Sequence, residues 1–220
     1  MLREIAGPAG RLEVLLDEPA SRGVGADGLM TPGHPRGLRA AVVFAHPHTE
    51  HGGTMHTKVV YQASKALSRI GCAVLRFNFR GAGASPGRFT NGPGEMDDFR
   101  AALDFMHDRY RGAPLWAGGM SFGSYVALTV GAEYPRVSTL IGIALPVARY
   151  DFEAVARSAK PKFFIHGERD ELCPLKEMRE FYARCAEPKD LVVIDAADHL
   201  FDGKVGEVAD AIEDLFGDWS

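Results

Sequence analysis

The chain has 220 residues, of which 46% are apolar and 25% charged, values typical of a globular protein with one well-filled core. Its net charge of −4 argues against nucleic acid and acidic membrane surfaces as partners, because both usually require a basic excess. The longest apolar stretch, Leu140–Val147, is too short to span a bilayer, so we expect no membrane segment.

The cysteine count favours a reducing compartment over a disulfide framework. The sequence contains three cysteines, a small and odd number for a disulfide framework: Cys72, Cys173 and Cys185. Their spacing matches neither a Cys-x-x-Cys pair nor a zinc-binding motif. Cys72 lies in an apolar stretch, which predicts a buried thiol that acts as a small hydrophobic side chain. Because the N-terminal residues also contain no apolar core of signal-peptide length, we expect a cytoplasmic protein.

The first elements along the chain are strands. Residues 2–18 predict two short strands joined by a turn at Gly7–Gly10, and residues 20–37, rich in Gly and Pro, predict an exposed loop. Beyond them, short apolar runs without polar alternation predict strands buried on both faces, as in a parallel sheet. These runs are Ala40–Ala45, Ala73–Phe79, Pro114–Gly118, Thr139–Leu145, Lys162–His166 and Leu191–Ile194.

Stretches with helical spacing separate these strands. They are Val59–Ile70, Phe99–Tyr110, Tyr125–Val130, Leu175–Cys185 and Val205–Phe216. The alternation implies right-handed crossovers and an α/β fold with a doubly wound sheet. We expect a single domain over 1–220, with N-terminal strands and loop at 1–37 and a catalytic core at 38–220. Ligands bind beyond the carboxyl ends of strands in such a sheet, so the loops after strands are where chemistry is expected.

The pattern Gly-x-Ser-x-Gly, typical of a nucleophile elbow, occurs at Gly83–Gly87 and again at Gly119–Gly123. In an elbow, the N–H of the residue after the serine donates to the oxyanion. Pro86 has no N–H, so Ser85 does not fit this role, whereas Phe122 can donate. Ser121 also lies between a predicted strand and an apolar helix. We therefore predict Ser121 as a nucleophile, with the helix N-terminus favouring the developing negative charge.

The general base and its acid partner are expected in the last two loops after strands. His199 lies between the last strand and the last helix, which favours it among eight histidines. The preceding loop offers Asp170, our choice, with Glu168 and Glu171 as close rivals. The order Ser, Asp, His is the one found in α/β-hydrolases. Asp195 and Asp198 are nearer His199 in sequence but are typical of surface or turn carboxylates.

The loop after the third strand, residues 46–53, is expected to supply a second oxyanion donor. Pro47 cannot donate, so the backbone N–H of His48 is the best candidate and that of Thr49 is next. The histidines of this loop also suggest a metal site, but neither a His-Glu-x-x-His helix nor partner cysteines accompany them, and we predict no metal. The favoured alternative is that they hydrogen-bond the loop backbone; the four are His46, His48, His51 and His56.

The chain resembles the lidless bacterial α/β-hydrolases that are similar to dienelactone hydrolase. The matching motifs lie between residues 40 and 205. They are His46–His48, Gly52–Met55, Lys58–Val60, Leu75–Gly81, Gly94–Glu95, Asp97–Asp98, Gly119–Gly123, Tyr150–Phe152, Gly167 with Asp170 and Pro174, and Asp198–His199. The resemblance implies an α/β-hydrolase fold, with helices on both faces of a mostly parallel sheet, without a lid domain. It also implies a triad of Ser121, Asp170 and His199.

Three departures from the family pattern lie on the expected cleft wall. Thr49 replaces a frequent proline, His56–Thr57 replaces a common Asp-Asn pair, and Leu200 stands where an aromatic residue is usual. These positions bear on substrate preference rather than on the reaction. The segment Pro146–Pro161 has room for only one short helix or loop, so we expect an open, shallow cleft unless a second subunit in a homodimer covers it.

These observations predict a serine esterase that cleaves a small-molecule acyl substrate through an acyl-enzyme, without a cofactor. The same triad would also suit a thioesterase, an amidase or a perhydrolase. A binding module of the same fold without turnover is the alternative outside enzymes, and a metal-dependent hydrolase that uses the loop of His46 to His56 is a third.

Overall fold

An eight-stranded, mostly parallel sheet runs through the computed structural model, which describes residues 2–19 and 38–217. The strands are β1 (Glu4–Gly7), β2 (Gly10–Asp17), β3 (Ala40–Ala45), β4 (Cys72–Phe77), β5 (Leu115–Met120), β6 (Val137–Ile143), β7 (Lys162–Gly167) and β8 (Lys189–Ile194). Their spatial order is β1-β2-β4-β3-β5-β6-β7-β8. Pairing is antiparallel for β1–β2 and β2–β4, and parallel from β4 to β8.

Within the described residues, six α-helices cover the two faces of the sheet. They are α1 (Lys58–Arg69), α2 (Pro93–Arg109), α3 (Phe122–Glu133), α4 (Glu153–Arg157), α5 (Leu175–Arg184) and α6 (Val205–Gly217). Apolar side chains of α1 and α6 form one core with the sheet, and those of α2, α3, α4 and α5 form the other. Apart from the exposed Ser138, strands β3 to β7 are buried on both faces, which explains why their sequences are mostly apolar.

The predicted α/β-hydrolase fold is confirmed, and the strand boundaries differ from the predicted ones by a few residues. The range Ala40–Ala45 is unchanged, whereas β5 extends through Met120 and β8 begins at Lys189. These extensions come from ladder pairing with neighbouring strands, which polarity patterns alone do not reveal. The expected loop at 20–37 lies outside the described residues. In residues 2–19 and 38–217, no helix has the length and apolar character needed to cross a membrane.

The chain between β6 and β7 is short, as predicted. Residues 144–161 contain only the five-residue helix α4, and no lid is inserted there. The three cysteines are buried free thiols, in line with the expectation for Cys72. Burial raises the pKa of Cys72 to about 12 and that of Cys173 and of Cys185 to about 11, so all three stay protonated at neutral pH.

Candidate active site

Ser121 occupies a sharp bend between β5 and α3. It is the one residue between Met120, which ends the strand, and Phe122, which begins the helix. Its φ of 53° and ψ of −124° are strained for a residue with a side chain. Backbone hydrogen bonds hold this conformation: the Ser121 N–H donates to the Ile143 carbonyl of β6 at 2.8 Å, and the Ser121 carbonyl accepts the Ser124 N–H at 2.8 Å.

Both glycines of this motif are needed because backbone passes close to their α-carbons. A Cβ at Gly119 would lie 2.3 Å from the carbonyl oxygen of Gly123. A Cβ at Gly123 would lie 2.4 Å from the carbonyl oxygen of His46 and 2.6 Å from that of Ala45. The first turn of α3 therefore packs directly on the end of β3, and this contact brings the loop after β3 beside Ser121.

The side chains of Ser121, His199 and Asp170 form one hydrogen-bonded chain. His199 Nε2 lies 2.9 Å from Ser121 Oγ, and His199 Nδ1 lies 2.8 Å from Asp170 Oδ2. An ionised carboxylate only accepts hydrogen bonds, so Nδ1 carries the proton and donates to Asp170. Nε2 is then left to accept the Ser121 hydroxyl proton. The structure thus brings together the three residues named from the sequence.

The carboxylate of Asp170 is fixed in orientation and kept ionised. Its Oδ1 accepts the N–H groups of Leu172 and Cys173, both at 2.9 Å, while Oδ2 faces His199. Burial on its own would raise the pKa of Asp170. The hydrogen bonds and the favourable charge interaction with His199 outweigh burial and hold the pKa below its usual 3.8. Asp170 is therefore negatively charged at neutral pH.

The rival carboxylates of the same loop point elsewhere. Glu168 and Glu171 are exposed, and the Glu168 carboxylate accepts the N–H of Ala196 at 2.8 Å. The Arg169 N–H also donates to the Ala197 carbonyl at 2.8 Å. These bonds fasten the loop after β7 to the loop after β8, which carries His199.

The two aspartates near His199 in sequence are not its partners. Asp195 is exposed, and Asp198 Oδ1 accepts the N–H groups of Leu200 and Asp202, both at 3.0 Å. Asp198 is thus a turn residue, in agreement with the role expected for it, and it shapes the backbone around His199.

Phe122 and His48 lie next to each other at the start of α3. Phe122 is the first helical residue, so its N–H has no acceptor within the helix. The rings of Phe122 and His48 are 5.3 Å apart, and that of Phe89 contacts both, at 5.2 Å and 4.3 Å. Thr49, the other candidate donor, follows in a short 3₁₀-helix, Thr49–His51.

The expectation that the loop histidines hydrogen-bond the backbone holds for His46, whereas the buried Nδ1 of His48 has no hydrogen-bond partner among the described residues. His46 is fully buried: its Nδ1–H donates to the Pro47 carbonyl at 2.6 Å, and its Nε2 accepts the Phe79 N–H at 3.1 Å. Burial lowers the pKa of His46 to about 4, so it is neutral. The His48 ring stacks on that of His51 at 4.3 Å. Among the described residues, no group of three or more His, Cys, Asp or Glu side chains is arranged to hold a metal ion.

Comparisons with known proteins give the family. A family model described as serine aminopeptidase, S33, matches residues 37–151, more than half of the chain. An α/β serine hydrolase homologue from Coxiella burnetii is 33% identical, with a TM-score of 0.85 over 96% of this chain and 95% of that one. An α/β serine hydrolase without a lid from Xanthomonas campestris is 31% identical, with a TM-score of 0.85 over 98% and 93%. The chain belongs to the lidless α/β serine hydrolases.

An uncharacterized protein of Rickettsia prowazekii is also similar to this hydrolase. It is 35% identical over 178 residues, which are 77% of this chain and 75% of the relative. Together, these matches confirm the family resemblance read from the motifs, and the similarity to the lidless hydrolase from Xanthomonas campestris agrees with the short chain between β6 and β7.

Several motif residues of the hydrolase hold the loops around the site. The buried Glu95 carboxylate accepts the N–H and hydroxyl of Thr90 and the N–H of Gly92, at 2.8–2.9 Å. Asp98 forms a two-point ion pair with Arg80, with distances of 3.0 Å and 2.7 Å. These contacts hold the chain between β4 and α2, and they give Glu95 and Asp98 of the family motifs a structural role.

Sequence reasoning missed His166, which ties the loop of Asp170 to β7. It is fully buried at the end of β7, its Nε2–H donates to the Cys173 carbonyl at 2.8 Å, and Nε2 lies 3.7 Å from Asp170 Oδ2. His166 Nδ1 has no hydrogen-bond partner in the described part of the chain. Desolvation lowers the pKa of His166, so the imidazole is neutral. The sequence feature that could have identified it is a histidine at the end of the predicted strand Lys162–His166, directly before the loop that carries Asp170.

Proposed function

We propose that this hydrolase cleaves small acyl esters through an acyl-enzyme formed on Ser121. The observation that carries the proposal is the unbroken chain from Ser121 Oγ to His199 Nε2 and from His199 Nδ1 to Asp170, with both links under 3 Å. The backbone strain at Ser121 adds support, because strained residues held by their surroundings cluster at active sites.

In the proposed reaction, Ser121 Oγ attacks the acyl carbonyl while His199 Nε2 takes the hydroxyl proton. The resulting imidazolium is stabilised by Asp170, which also keeps the ring in the required tautomer. The tetrahedral intermediate then breaks its bond to the alcohol oxygen, and His199 delivers the proton to that oxygen. Water, activated by the same histidine, attacks the acyl-enzyme and releases the carboxylic acid and free Ser121.

The backbone N–H groups of Phe122 and His48 are the proposed oxyanion donors. Two observations support them: the Phe122 N–H has no acceptor within the helix, and the rings of His48 and Phe122 are 5.3 Å apart. Loss of one such donor typically costs about 3 kcal/mol of transition-state stabilisation. The dipole of α3 favours the oxyanion further.

The absence of an inserted lid between β6 and β7 supports small substrates. The described residues 144–161 hold only α4, so an extended lipid chain would find no cover there. We expect turnover of short-chain p-nitrophenyl esters and poor turnover of long-chain ones.

The direct test compares ester hydrolysis by the wild type and Ser121→Ala. We expect kcat to fall by several orders of magnitude, on the scale of about 10⁴-fold or more. Ser85→Ala is the matched control, because it removes the serine of the other Gly-x-Ser-x-Gly segment and should keep its kcat. A Ser121→Ala variant that folds and retains the wild-type rate would overturn the proposal.

Amide hydrolysis is the second candidate, because the matching family model is described as a serine aminopeptidase. The same triad attacks amides if the leaving amine is protonated by His199. Aminoacyl p-nitroanilides, assayed beside the p-nitrophenyl esters, separate the two: a higher kcat/KM on the anilides would make this chain an amidase.

A further inference from the structure

Two exposed leucines flank the Asp170–His199 pair. Among the described residues, three large hydrophobic side chains are exposed: Tyr61, Leu172 at 41% and Leu200 at 55%. A scattered exposed leucine is ordinary. Here, however, two of the three lie within two residues of the hydrogen-bonded acid and base. We call Leu172 and Leu200 the leucine lip.

The backbone of the lip is fastened to the site itself. The Leu172 N–H donates to Asp170 Oδ1 at 2.9 Å, and the Leu200 N–H donates to Asp198 Oδ1 at 3.0 Å. The loops that carry the two leucines are bonded to each other through Arg169 and Ala197. The backbone at both leucines is therefore held in a fixed position beside Asp170 and His199, and both side chains are exposed rather than packed in the core.

The direction of proton transfer tells which part of a substrate the lip would meet. His199 Nε2 must protonate the leaving oxygen, so the alcohol part of an ester departs on the His199 side. The oxyanion lies on the other side, toward Phe122 and His48. Leu200 directly follows His199, and the Leu172 N–H is bonded to Asp170, so the lip is attached to the acid and base rather than to the oxyanion donors.

We propose that Leu172 and Leu200 form a subsite for the alcohol part of the substrate and that this part is an apolar alkyl or aryl group. The proposal rests on the proposed ester hydrolysis and specifies its substrate class. Contact with hydrocarbon removes the apolar surface of both leucines from water, which stabilises binding in proportion to the area covered.

The test uses two series of esters with wild type, Leu172→Ser/Leu200→Ser and Tyr61→Ser. One series keeps the acetyl group and lengthens the alcohol from methyl to hexyl; the other keeps the alcohol and lengthens the acyl group. Straight-chain alcohols have nearly equal acidity, so the first series varies contact rather than chemistry. Tyr61→Ser is the matched control, since it removes the exposed hydrophobic side chain that lies on α1, away from the lip.

We expect the wild-type kcat/KM to rise about tenfold from methyl to hexyl acetate, because added methylenes are partly buried on the lip. The double variant should lose most of this rise while keeping its acyl-chain dependence and its Tm. Tyr61→Ser should behave as the wild type. Because both leucines are exposed, the double substitution should leave folding intact.

Four results would overturn the proposal. A rise with alcohol length that survives in the double variant would show that the lip does not contact the alcohol. A change in kcat/KM of the double variant that is confined to the acyl series would show that the lip contacts the acyl group instead of the alcohol. A wild type active on both series but flat in alcohol length would overturn the subsite alone, whereas a wild type inactive on all these esters would overturn the proposed function with it.

Discussion

The chain contains the same five-residue pattern twice, and the two copies have opposite fates. In Gly119–Gly123 the serine bends into a left-handed conformation and its hydroxyl faces His199 at 2.9 Å. In Gly83–Gly87 the serine is buried: Ser85 Oγ donates to the Asn78 carbonyl at 2.7 Å and accepts the Glu13 N–H at 2.9 Å.

The difference shows that the flanking secondary structure and the local contacts determine the environment of the serine in a Gly-x-Ser-x-Gly segment. The first copy joins a central buried strand to a helix, so its bend projects at the carboxyl edge of the sheet. The second copy lies in the chain between β4 and α2, where Pro86 supplies no N–H and both hydrogen-bonding roles of the serine hydroxyl are taken up by backbone. The Ser121 hydroxyl is hydrogen-bonded to His199, whereas the Ser85 hydroxyl ties β2 to the end of β4.

The largest expected effect on kcat comes from Asp170, the carboxylate bonded to the histidine that faces Ser121 of the first copy. Asp170→Asn should lower kcat about 10⁴-fold, because an amide can donate to His199 and so favours the wrong tautomer. Steady-state ester hydrolysis measures the effect. Glu171→Gln makes the same carboxylate-to-amide change at an exposed position in that loop, and it should retain the wild-type rate. Equal, small losses in both variants would contradict the assignment of Asp170.

Replacing the last glycine of each copy with alanine should affect different quantities: kcat in the first copy and the free energy of unfolding in the second. In Gly123→Ala the new Cβ would lie 2.4 Å from the His46 carbonyl oxygen, so the elbow must shift. A displacement of about 1 Å at the nucleophile costs on the order of 10²-fold in kcat. Gly87→Ala places alanine at a φ of 96°, which should cost about 1–2 kcal/mol of stability and leave kcat unchanged. The reverse pattern would contradict the comparison.

Ser85→Ala should affect the free energy of unfolding alone. Removing the hydroxyl leaves the half-buried Glu13 N–H and the buried Asn78 carbonyl without this partner, at a cost of about 1–3 kcal/mol. Urea denaturation measures this loss, and kcat/KM measured well below the unfolding midpoint should equal that of the wild type. A fall in kcat/KM greater than about threefold would implicate the second copy in catalysis.

The smallest expected effect is a pH dependence of the free energy of unfolding, which arises from Glu13, a residue in contact with the second copy. Glu13 Oε2 accepts the Ala84 N–H at 2.8 Å and an Asn78 amide N–H at 2.7 Å. The Ala84 bond is the main reason that the pKa of Glu13 lies below its usual 4.5.

A lowered folded-state pKa contributes stability that is complete above the unfolded pKa of 4.5 and is lost as the pH falls through the folded pKa. Between about pH 6 and about pH 3, the free energy of unfolding should therefore fall more steeply in the wild type than in Glu13→Gln. Parallel pH curves would show that the carboxylate does not support this loop.

The sequence predicted those parts of the fold that depend on local pattern. The ends of β3 follow from the apolar run Ala40–Ala45, which is buried on both faces of the sheet. Ser121 was preferred to Ser85 as the nucleophile because Pro86, the residue after Ser85, has no N–H. The sequence also named Asp170 and His199, which the structure brings together with Ser121. The support from His166 and the hydrogen bonding of Ser85 to β2 were not predictable, because each depends on contacts between loops or strands that are distant in the chain.

The most direct measurement of the central claim is covalent labelling by a fluorophosphonate probe, followed by peptide mapping. Our account predicts a single adduct on the peptide that contains Ser121, in the wild type and in Ser85→Ala, and none in Ser121→Ala. Labelling of Ser85, or an esterase-active protein whose Ser121 stays unlabelled, would contradict it.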